Sequence, residues 1–518
     1  MSLPDSLLGL MDAGAYPHPC ARIELIETHI SWVLLTGDFA YKLKKPVQFS
    51  FLNFSTLELR EHFCQEELRC NRAFAPELYV DVVPVYLHAD NTISMGGANA
   101  PEDTLLEWAV KMRQFDPATQ LDRLLEHGAV TTGMLAEFGR ELAGLHATLT
   151  RYTSDADEVE QRIFDPVNDN FAEIVTTGLQ ATHESLLIQT RELSSALGKS
   201  LQPLIRNRMQ NGWVRECHGD LHLSNLALIN KKVTAFDCLE FNPNLRWIDT
   251  ICDVAFLFMD CHERKRSDLA YAFLDGYLDV SGDYRGAELL SYYSAYRSMV
   301  RAKVAALRWE QERSTDAETR FVQHSTWAKN FLERPRGKLF LMCGLSGAGK
   351  SYAAKRLVPM LPAIRLRSDV ARKALAGLST HARTDSPVAG GLYDPRQSDR
   401  VFRYLAAVAE ALLRAGDNVI VDATFIKRAR RAKFVEVARQ LGAEIRIIYC
   451  NAPLALLRER IKARATVADG VSEATLEVLD QQLSDFEPPD SSEPVIELAT
   501  GAEPGTDNLR ALLHELQE

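Results

Sequence analysis

The sequence predicts two domains in mixed α/β and α+β classes. A small β-rich lobe leads into a larger helical lobe, and an open parallel α/β sheet follows. Three observations support this. Short runs of alternating polarity fill the chain from Arg22 to Gln114. Helical periodicity takes over beyond Leu121, and from Lys338 apolar strands alternate with helices. A chain of 518 residues exceeds one compact core, and two to four domains is the expected range.

In order along the chain, Arg22–Ile26, Ser31–Leu35 and Phe39–Lys44 read as strands of a meander, the last two joined by the turn Thr36-Gly37-Asp38. A helix is expected over Thr56–Phe74, then strands around Val80–Leu87 and Thr104–Gln114. Helices such as Gly133–Leu149 and Leu289–Trp309 follow. The polar stretch Glu310–Gly337 marks the boundary. It gives a first domain over 1–334, with a small lobe at about 20–115, a large lobe at about 116–312 and a linker at about 313–334, and a second domain over 335–518. In the second, strands Leu339–Cys343, Ala363–Arg367, Asn418–Val421 and Glu444–Cys450 alternate with helices Lys350–Leu357, Arg400–Ala415 and Lys427–Leu441.

Hydrophobic residues at 46% and charged residues at 25% are ordinary for a soluble globular protein. No apolar run approaches the roughly 20 residues that span a bilayer, so no membrane partner is expected. The first basic residue is Arg22, so the charged start of a secretory signal is missing. Nine cysteines without a C-x-x-C pair suggest reduced thiols, and the expected location is cytoplasmic. A formal charge of −11 argues against a general nucleic-acid coat while leaving room for a local basic pocket.

Gly344-Leu345-Ser346-Gly347-Ala348-Gly349-Lys350-Ser351 fits G-x-x-x-x-G-K-[ST] in full, between an apolar strand and a helix. There, glycines let backbone N–H groups turn toward a polyphosphate, and the helix start adds a favourable dipole. Lys350 is expected to reach the β- and γ-phosphates of ATP, and the Ser351 hydroxyl to ligate Mg²⁺.

Three further segments accompany this loop: Ile364 to Lys373, the strand Asn418–Val421 running into Asp422-Ala423-Thr424, and Leu457 to Arg464. Together, across about residues 338 to 490, they resemble the P-loop kinases that include gluconate kinases, zeta-toxin-like kinases and polynucleotide 5′-kinases. The resemblance implies Asp369 as the carboxylate that takes the acceptor's hydroxyl proton, Arg372 as a substrate-binding arginine and Asp422 as the acid near Mg²⁺. It implies Arg464 as the lid arginine, with Arg460, one turn earlier on the same face, as the alternative. A solvated helix face is the competing reading for the arginines.

In the first domain, His218-Gly219-Asp220-Leu221-His222-Leu223-Ser224-Asn225 is followed by Val233-Thr234-Ala235-Phe236-Asp237-Cys238-Leu239-Glu240. This resembles the aminoglycoside phosphotransferase family, relatives of protein kinases, and implies a two-lobed protein-kinase-like fold over about residues 20 to 310. It implies Asp220 as base, Asn225 and Asp237 as Mg²⁺ ligands, and Glu240 as an extra acid near the metal. Lys42 would bind nucleotide, with Lys44 on the same face as the alternative. Its ion-pair partner would be Glu66 or Glu67, and Glu67 is favoured. Residues Val110 to Phe115 would form the adenine-binding hinge. A zinc site at His218 and His222 is the competing reading, disfavoured by Gly219 and by the missing Glu beside the first histidine. The loop Glu27-Thr28-His29-Ile30-Ser31 has no glycine, so the protein-kinase glycine-rich loop is absent.

The expectation is an ATP- and Mg²⁺-dependent enzyme with two phosphotransferase modules, each acting on a small-molecule hydroxyl acceptor. Arg365, Arg367, Arg372 and Lys373, with Lys427 to Lys433, suggest an anionic acceptor at the second site. Three alternatives stand beside this: a first domain that only senses nucleotide or metabolite, a second domain that works as an ATP-hydrolysing switch, and a polynucleotide 5′-hydroxyl kinase.

Overall fold

The computed structural model of the chain describes residues 3–49, 52–97, 100–153, 160–380, 382, 394–465, 475–501 and 506–517. Two compact units emerge. One comprises Met1–Val130, Leu149–Asp155 and Arg208–Asp253; the other comprises Thr131–Thr148, Ala156–Asn207 and Val254–Glu518.

The first unit is built on six antiparallel strands: β1 (Glu24–Glu27), β2 (Ser31–Leu35), β3 (Phe39–Lys44), β4 (Tyr79–Leu87), β5 (Ile93–Met95) and β6 (Thr104–Arg113). Their order is β1-β2-β3-β6-β4-β5. Alternation along β3 decides what each face does. Tyr41 and Leu43 turn to one side, where Leu3, Leu7, Leu10 and Tyr16 of the N-terminal segment cover them together with Trp32 and Leu34. Lys42 and Lys44 turn to the other side, toward helix Leu57–Phe74. That helix starts where Thr56 Oγ1 accepts the Leu59 N–H at 3.3 Å, and its Cys64 and Leu68 pack on Tyr79, Val82 and Val110. The covering N-terminal segment was not anticipated from sequence.

The rest of this unit carries two small hairpin-like pairs. β7 (Val214–Glu216) pairs with β10 (Trp247–Asp249), and β8 (Leu226–Ile229) pairs with β9 (Lys232–Ala235), all antiparallel. Together they frame the loops 217–225 and 236–246.

The second unit contains a parallel sheet of β11 (Leu339–Cys343), β12 (Ala363–Arg367), β13 (Asn418–Asp422), β14 (Ile445–Asn451) and β15 (Val495–Ala499), in the order β12-β13-β11-β14-β15. β11 is buried throughout, as its unbroken Leu-Phe-Leu-Met-Cys run requires. β12 is an edge strand, and helix Ser267–Ser281 packs against it.

One expectation about organisation needs correction. The stretch 313–334, read as a linker, contains the helix Thr315–Leu332, which buries Ala317, Phe321, Ser325, Ala328 and Phe331 against helix Leu290–Glu312. Its charged outer face hid that stripe. The compact units divide the chain at other points than 334/335: the helices beyond Val254 cluster with the parallel sheet. None of the nine cysteines is in a disulfide.

Candidate active sites

In the first unit, the side chains of β3 meet those of helix Leu57–Phe74 in a buried charge cluster. Lys42 Nζ lies 2.8 Å from Glu67 Oε1 and 2.6 Å from Asp237 Oδ1. Lys44 Nζ lies 2.7 Å from Glu67 Oε2 and pairs as well with Glu240. Burial alone would lower the Lys42 ammonium, but Asp237 and Glu67 carry it well above its usual range. For Glu67, burial pushes up while the two lysines pull down, and the lysines win. Glu66 faces elsewhere, holding Arg69 at 2.9 Å and Arg246 at 3.0 Å. Glu240, expected near the metal, is instead a buried partner of Lys44; its backbone carbonyl accepts from Arg246 Nη1 at 2.9 Å.

The loop at 217–225 is held by its backbone. Asp253 accepts the His218 N–H at 3.2 Å and the Gly219 N–H at 2.9 Å. Gly219 has φ +83°, and a Cβ there would lie 2.8 Å from the Leu245 carbonyl, so only glycine fits. His218 is fully buried, and burial lowers its basicity. Its Nε2 donates to the Phe236 carbonyl at 2.9 Å, and its Nδ1 accepts the Asp220 N–H at 3.4 Å. Both ring nitrogens are thereby engaged, which removes His218 from any zinc site.

Asp220 follows, with Oδ2 accepting from Asn225 Nδ2 at 3.0 Å and lying 3.3 Å from His222 Nε2. Asn225 uses its amide nitrogen on Asp220, leaving its oxygen for a hard cation. Asp237 has φ +61°, a left-handed conformation that Asp tolerates better than most side chains. Tyr79 Oη accepts its N–H at 3.1 Å, and its carboxylate is 45% exposed. An amide oxygen and a carboxylate suit Mg²⁺, whose ligands are oxygens.

The strand-to-strand loop 27–31 closes tightly: Thr28 N–H donates to the Ser31 carbonyl at 2.9 Å, and Lys45 N–H to the Ile30 carbonyl at 2.8 Å. The hinge residues expected at 110–115 run out of β6, where Phe115 meets Phe236 with ring centroids 5.1 Å apart.

In the second unit, β11 delivers the chain into the glycine-rich loop. Gly344 has φ +136°, and a Cβ there would collide with the Cys450 carbonyl. Gly349, at φ +82°, caps helix Lys350–Met360. Ser346 N–H donates to Gln482 Oε1 at 2.8 Å, and Thr500 Oγ1 donates to the Ala348 carbonyl at 2.8 Å. Lys350 Nζ donates to the Leu345 carbonyl at 2.8 Å, and burial pulls its ammonium below the usual value. Ser351 Oγ donates to Asp422 Oδ1 at 3.0 Å. Asp422 Oδ2 is buried with no hydrogen-bond donor on it, a good fit for a hard cation between a hydroxyl and a carboxylate.

Asp369 lies in the first turn of helix Ser368–Leu375, half-buried, and burial raises its carboxyl while Arg367 and Arg372 oppose the rise. Arg372 Nη1 donates to Ser398 Oγ at 3.2 Å. Arg460 donates to the carbonyls of Gly347, at 3.3 Å, and Thr500, at 2.8 Å, and so braces the glycine-rich loop. The side chain of Arg464 lies outside the described residues.

The expected basic wall is largely neutralised. Arg365 makes a bidentate pair with Asp275 at 2.8 and 3.0 Å, and Arg367 pairs with Asp279. Lys427 lies 3.2 Å from Asp485, Arg428 3.3 Å from Asp490, and Arg431 2.7 Å from Glu493. These acids lie far along the chain from the residues they neutralise, so no local pattern announced them.

Comparison with known proteins matches the description "Phosphotransferase enzyme family" to residues 60–290 and "AAA domain" to residues 339–489. Uncharacterized proteins of Mycobacterium tuberculosis and Mycobacterium bovis are each 30% identical over 460 residues, covering 88% of this chain and 88% of theirs. The chain belongs to their family. This family member joins an aminoglycoside-phosphotransferase-type domain to a P-loop kinase domain. Among solved structures, it is similar to a choline/ethanolamine kinase family protein from Mesorhizobium loti, with 12% identity and a TM-score of 0.36, over 62% of this chain and 90% of that one. The APS kinase of Mycobacterium tuberculosis, in complex with AMPPNP and APS, gives 22% identity and a TM-score of 0.28 over 36% and 99%. A sugar kinase from Janibacter sp. gives 18% and 0.27 over 35% and 95%. No described helix is long and apolar enough to cross a membrane.

Proposed function

We propose that both domains are working ATP-dependent phosphotransferases, each moving a γ-phosphoryl group to a hydroxyl of a small molecule. The observation that carries this reading is the complete set in the first unit. Lys42 bridges Glu67 and Asp237, while Asp220 and Asn225 are paired 3.0 Å apart. A domain that only sensed nucleotide would need Lys42 and Asp237 and would have no use for a placed carboxylate at Asp220.

In the first domain Asp220 orients the acceptor hydroxyl and takes its proton as the oxygen attacks the γ-phosphorus. The bond from that phosphorus to the β-γ bridging oxygen breaks, and ADP departs with the electron pair. Lys42 holds the nucleotide phosphates, and Glu67 fixes Lys42. Asn225 and Asp237 would hold Mg²⁺, which supplies charge neutralisation on the phosphates. In the second domain Lys350 and the loop N–H groups hold the phosphates, Ser351 and Asp422 would hold Mg²⁺, and Asp369 takes the acceptor's proton. Arg372, with Arg464, contacts acceptor or transferring phosphoryl group.

A small acceptor is favoured at the second site over a nucleic-acid end. With Arg365, Arg367, Lys427, Arg428 and Arg431 all paired to acids, these cations offer no extended basic track for a polyanion. Arg372, close enough to Asp369 to act on its charge, is the residue proposed to meet a single anionic group on the acceptor.

The test is a labelled-ATP transfer screen over sugars, sugar acids, nucleosides, nucleotides and 5′-hydroxyl oligonucleotides. The full chain is compared with Asp220→Ala and Lys350→Ala. The expected result is labelled small acceptors, some lost with one variant and some with the other. ATP hydrolysis without any labelled acceptor would favour the switch reading, and salt-sensitive oligonucleotide labelling lost in Lys350→Ala would establish the polynucleotide kinase.

A further inference from the structure

We propose that Asp275 and Asp279, on helix Ser267–Ser281, are positioning residues for the P-loop kinase, keeping the arginines of β12 off Asp422. The proposal rests on the reading of Ser351 and Asp422 as the cation-holding pair.

β12 runs parallel beside β13, in register so that Arg367 lies opposite Asp422. Period two puts Arg365 and Arg367 on the same face of that strand. Both guanidinium groups come close to Asp422: Arg365 Nη1 is 3.6 Å from Oδ2, and Arg367 Nε is 3.8 Å from it. These separations are too long for hydrogen bonds. They are long ion pairs, and a small rotation of either side chain would close them into direct hydrogen-bonded pairs that occupy Oδ2.

What holds the arginines back is the helix. Asp275 takes Arg365 through two parallel bonds of 2.8 and 3.0 Å, and Asp279 pairs with Arg367. The two acids are four residues apart, so they share a helix face, and they match the spacing of two arginines on one strand face. Tyr284 Oη fixes the strand end by accepting the Arg367 N–H at 2.9 Å. Water reaches the cluster only at its Asp279 end: side-chain exposure is 4% for Arg365, 4% for Asp422 and 8% for Asp275, against 18% for Asp279.

Charge follows from this geometry. The acids of the helix balance the two guanidinium charges, so Asp422 keeps its own negative charge for a cation. Without them, two positive charges within 4 Å would compete with any cation for Asp422 Oδ2, in a site with little water to screen them. Buried arginines beside a cation-holding carboxylate are therefore tolerable only with this second ring of acids. The helix comes from the stretch read as part of the first domain, so the P-loop kinase depends on chain outside residues 335–518 for its charge balance.

The test uses the full chain in a Lys42→Met background, which removes the first domain's contribution to nucleotide binding. A fluorescent ATP analogue carrying the N-methylanthraniloyl group is titrated with Mg²⁺ and with EDTA, and the ratio of the two affinities is read. Asp275→Asn should lower that ratio about tenfold while changing the EDTA affinity less than about threefold. Arg365→Gln alone should hold the ratio at or above that of the background, and Asp275→Asn with Arg365→Gln should restore it. A purely structural brace would not be rescued this way, because both variants break the same buried pair.

If Asp275→Asn does not fold, Asp279→Asn, whose carboxyl is 18% exposed, gives the same reading through Arg367. An unchanged ratio in both variants, or no rescue in the double variant, overturns the proposal. If Lys350→Ala leaves the binding curves of the background unaltered, nucleotide is not held at the phosphate loop. In that case the reading of the site fails first and the inference with it.

Discussion

Glu67 holds Lys42 at 2.8 Å through Oε1 and Lys44 at 2.7 Å through Oε2, so one buried carboxylate serves two lysines on the same strand face. The lysines differ in what else they touch. Lys42 reaches Asp237, whose carboxylate is 45% exposed, whereas Lys44 reaches Glu240 and is 1% exposed. Lys42→Met should therefore lower first-domain transfer by about 10²-fold or more, by removing a charge aimed at the phosphates. Lys44→Met strands Glu240 without a partner. It should cost about 3–5 kcal/mol of stability, read by urea unfolding of the full chain. Equal stability of the two variants would contradict this division of labour.

Asp220 and Asp237 should separate binding from chemistry. Asp220→Asn leaves the proposed nucleotide contacts in place and removes the proposed proton acceptor, so ATP should bind within about threefold of wild type while transfer falls by at least about 10²-fold. Asp237→Ala removes the proposed cation ligand together with a partner of Lys42, so Mg²⁺-dependent ATP binding should weaken. Calorimetric titration in a Lys350→Ala background reads the first-domain site alone. Matching losses of binding in both variants would exclude Asp220 as the base.

The parts legible in sequence are those written locally. Strand alternation placed Lys42 and Lys44 on one face, and the phosphate loop with its flanking strand and helix appears where its motif lies. What stayed hidden depends on pairs distant in sequence: Lys44 with Glu240, 196 residues apart, and Arg365 with Asp275, 90 apart. Glu240 was singled out by its place after Asp237, yet nothing nearby shows that Lys44 claims it. Asp275 and Asp279 stand four apart, a spacing that on a helix usually marks a solvated face, and nothing local sets them apart. Helix Thr315–Leu332 was misread because its polar residues outnumber the stripe it buries.

The buried His262 should make stability fall in acid. Its ring sits among Phe258, Tyr271 and Phe331, and burial, helped by Arg334, pushes its pKa down to about 3. The unfolded chain takes up that proton near pH 6.5, so between about 6.5 and 3 the unfolded state binds more protons and stability drops as pH falls. The slope from this one group approaches about 1.4 kcal/mol per pH unit. His262→Phe should remove that part of the slope in urea unfolding followed from pH 7 to pH 4. An unaltered slope would mean that the imidazole titrates alike in both states.

Asp369 gives the last prediction, on the pH dependence of the second domain. As the proposed proton acceptor it must be ionised to work, so transfer declines when pH falls through its pKa. Burial raises that pKa above the ordinary carboxylate value, while Arg367 and Arg372 hold the rise in check. The acid limb of kcat should thus lie above the usual carboxylate range in wild type. Arg372→Ala removes one restraining charge, so the limb should move further up and the KM for an anionic acceptor should increase as well. Asp369→Asn should abolish the limb together with nearly all transfer, while ATP affinity stays within about threefold. An Arg372→Ala enzyme whose acid limb moves down, or an Asp369→Asn enzyme that keeps its rate, would exclude Asp369 as the proton acceptor and leave the phosphate-loop assignment standing.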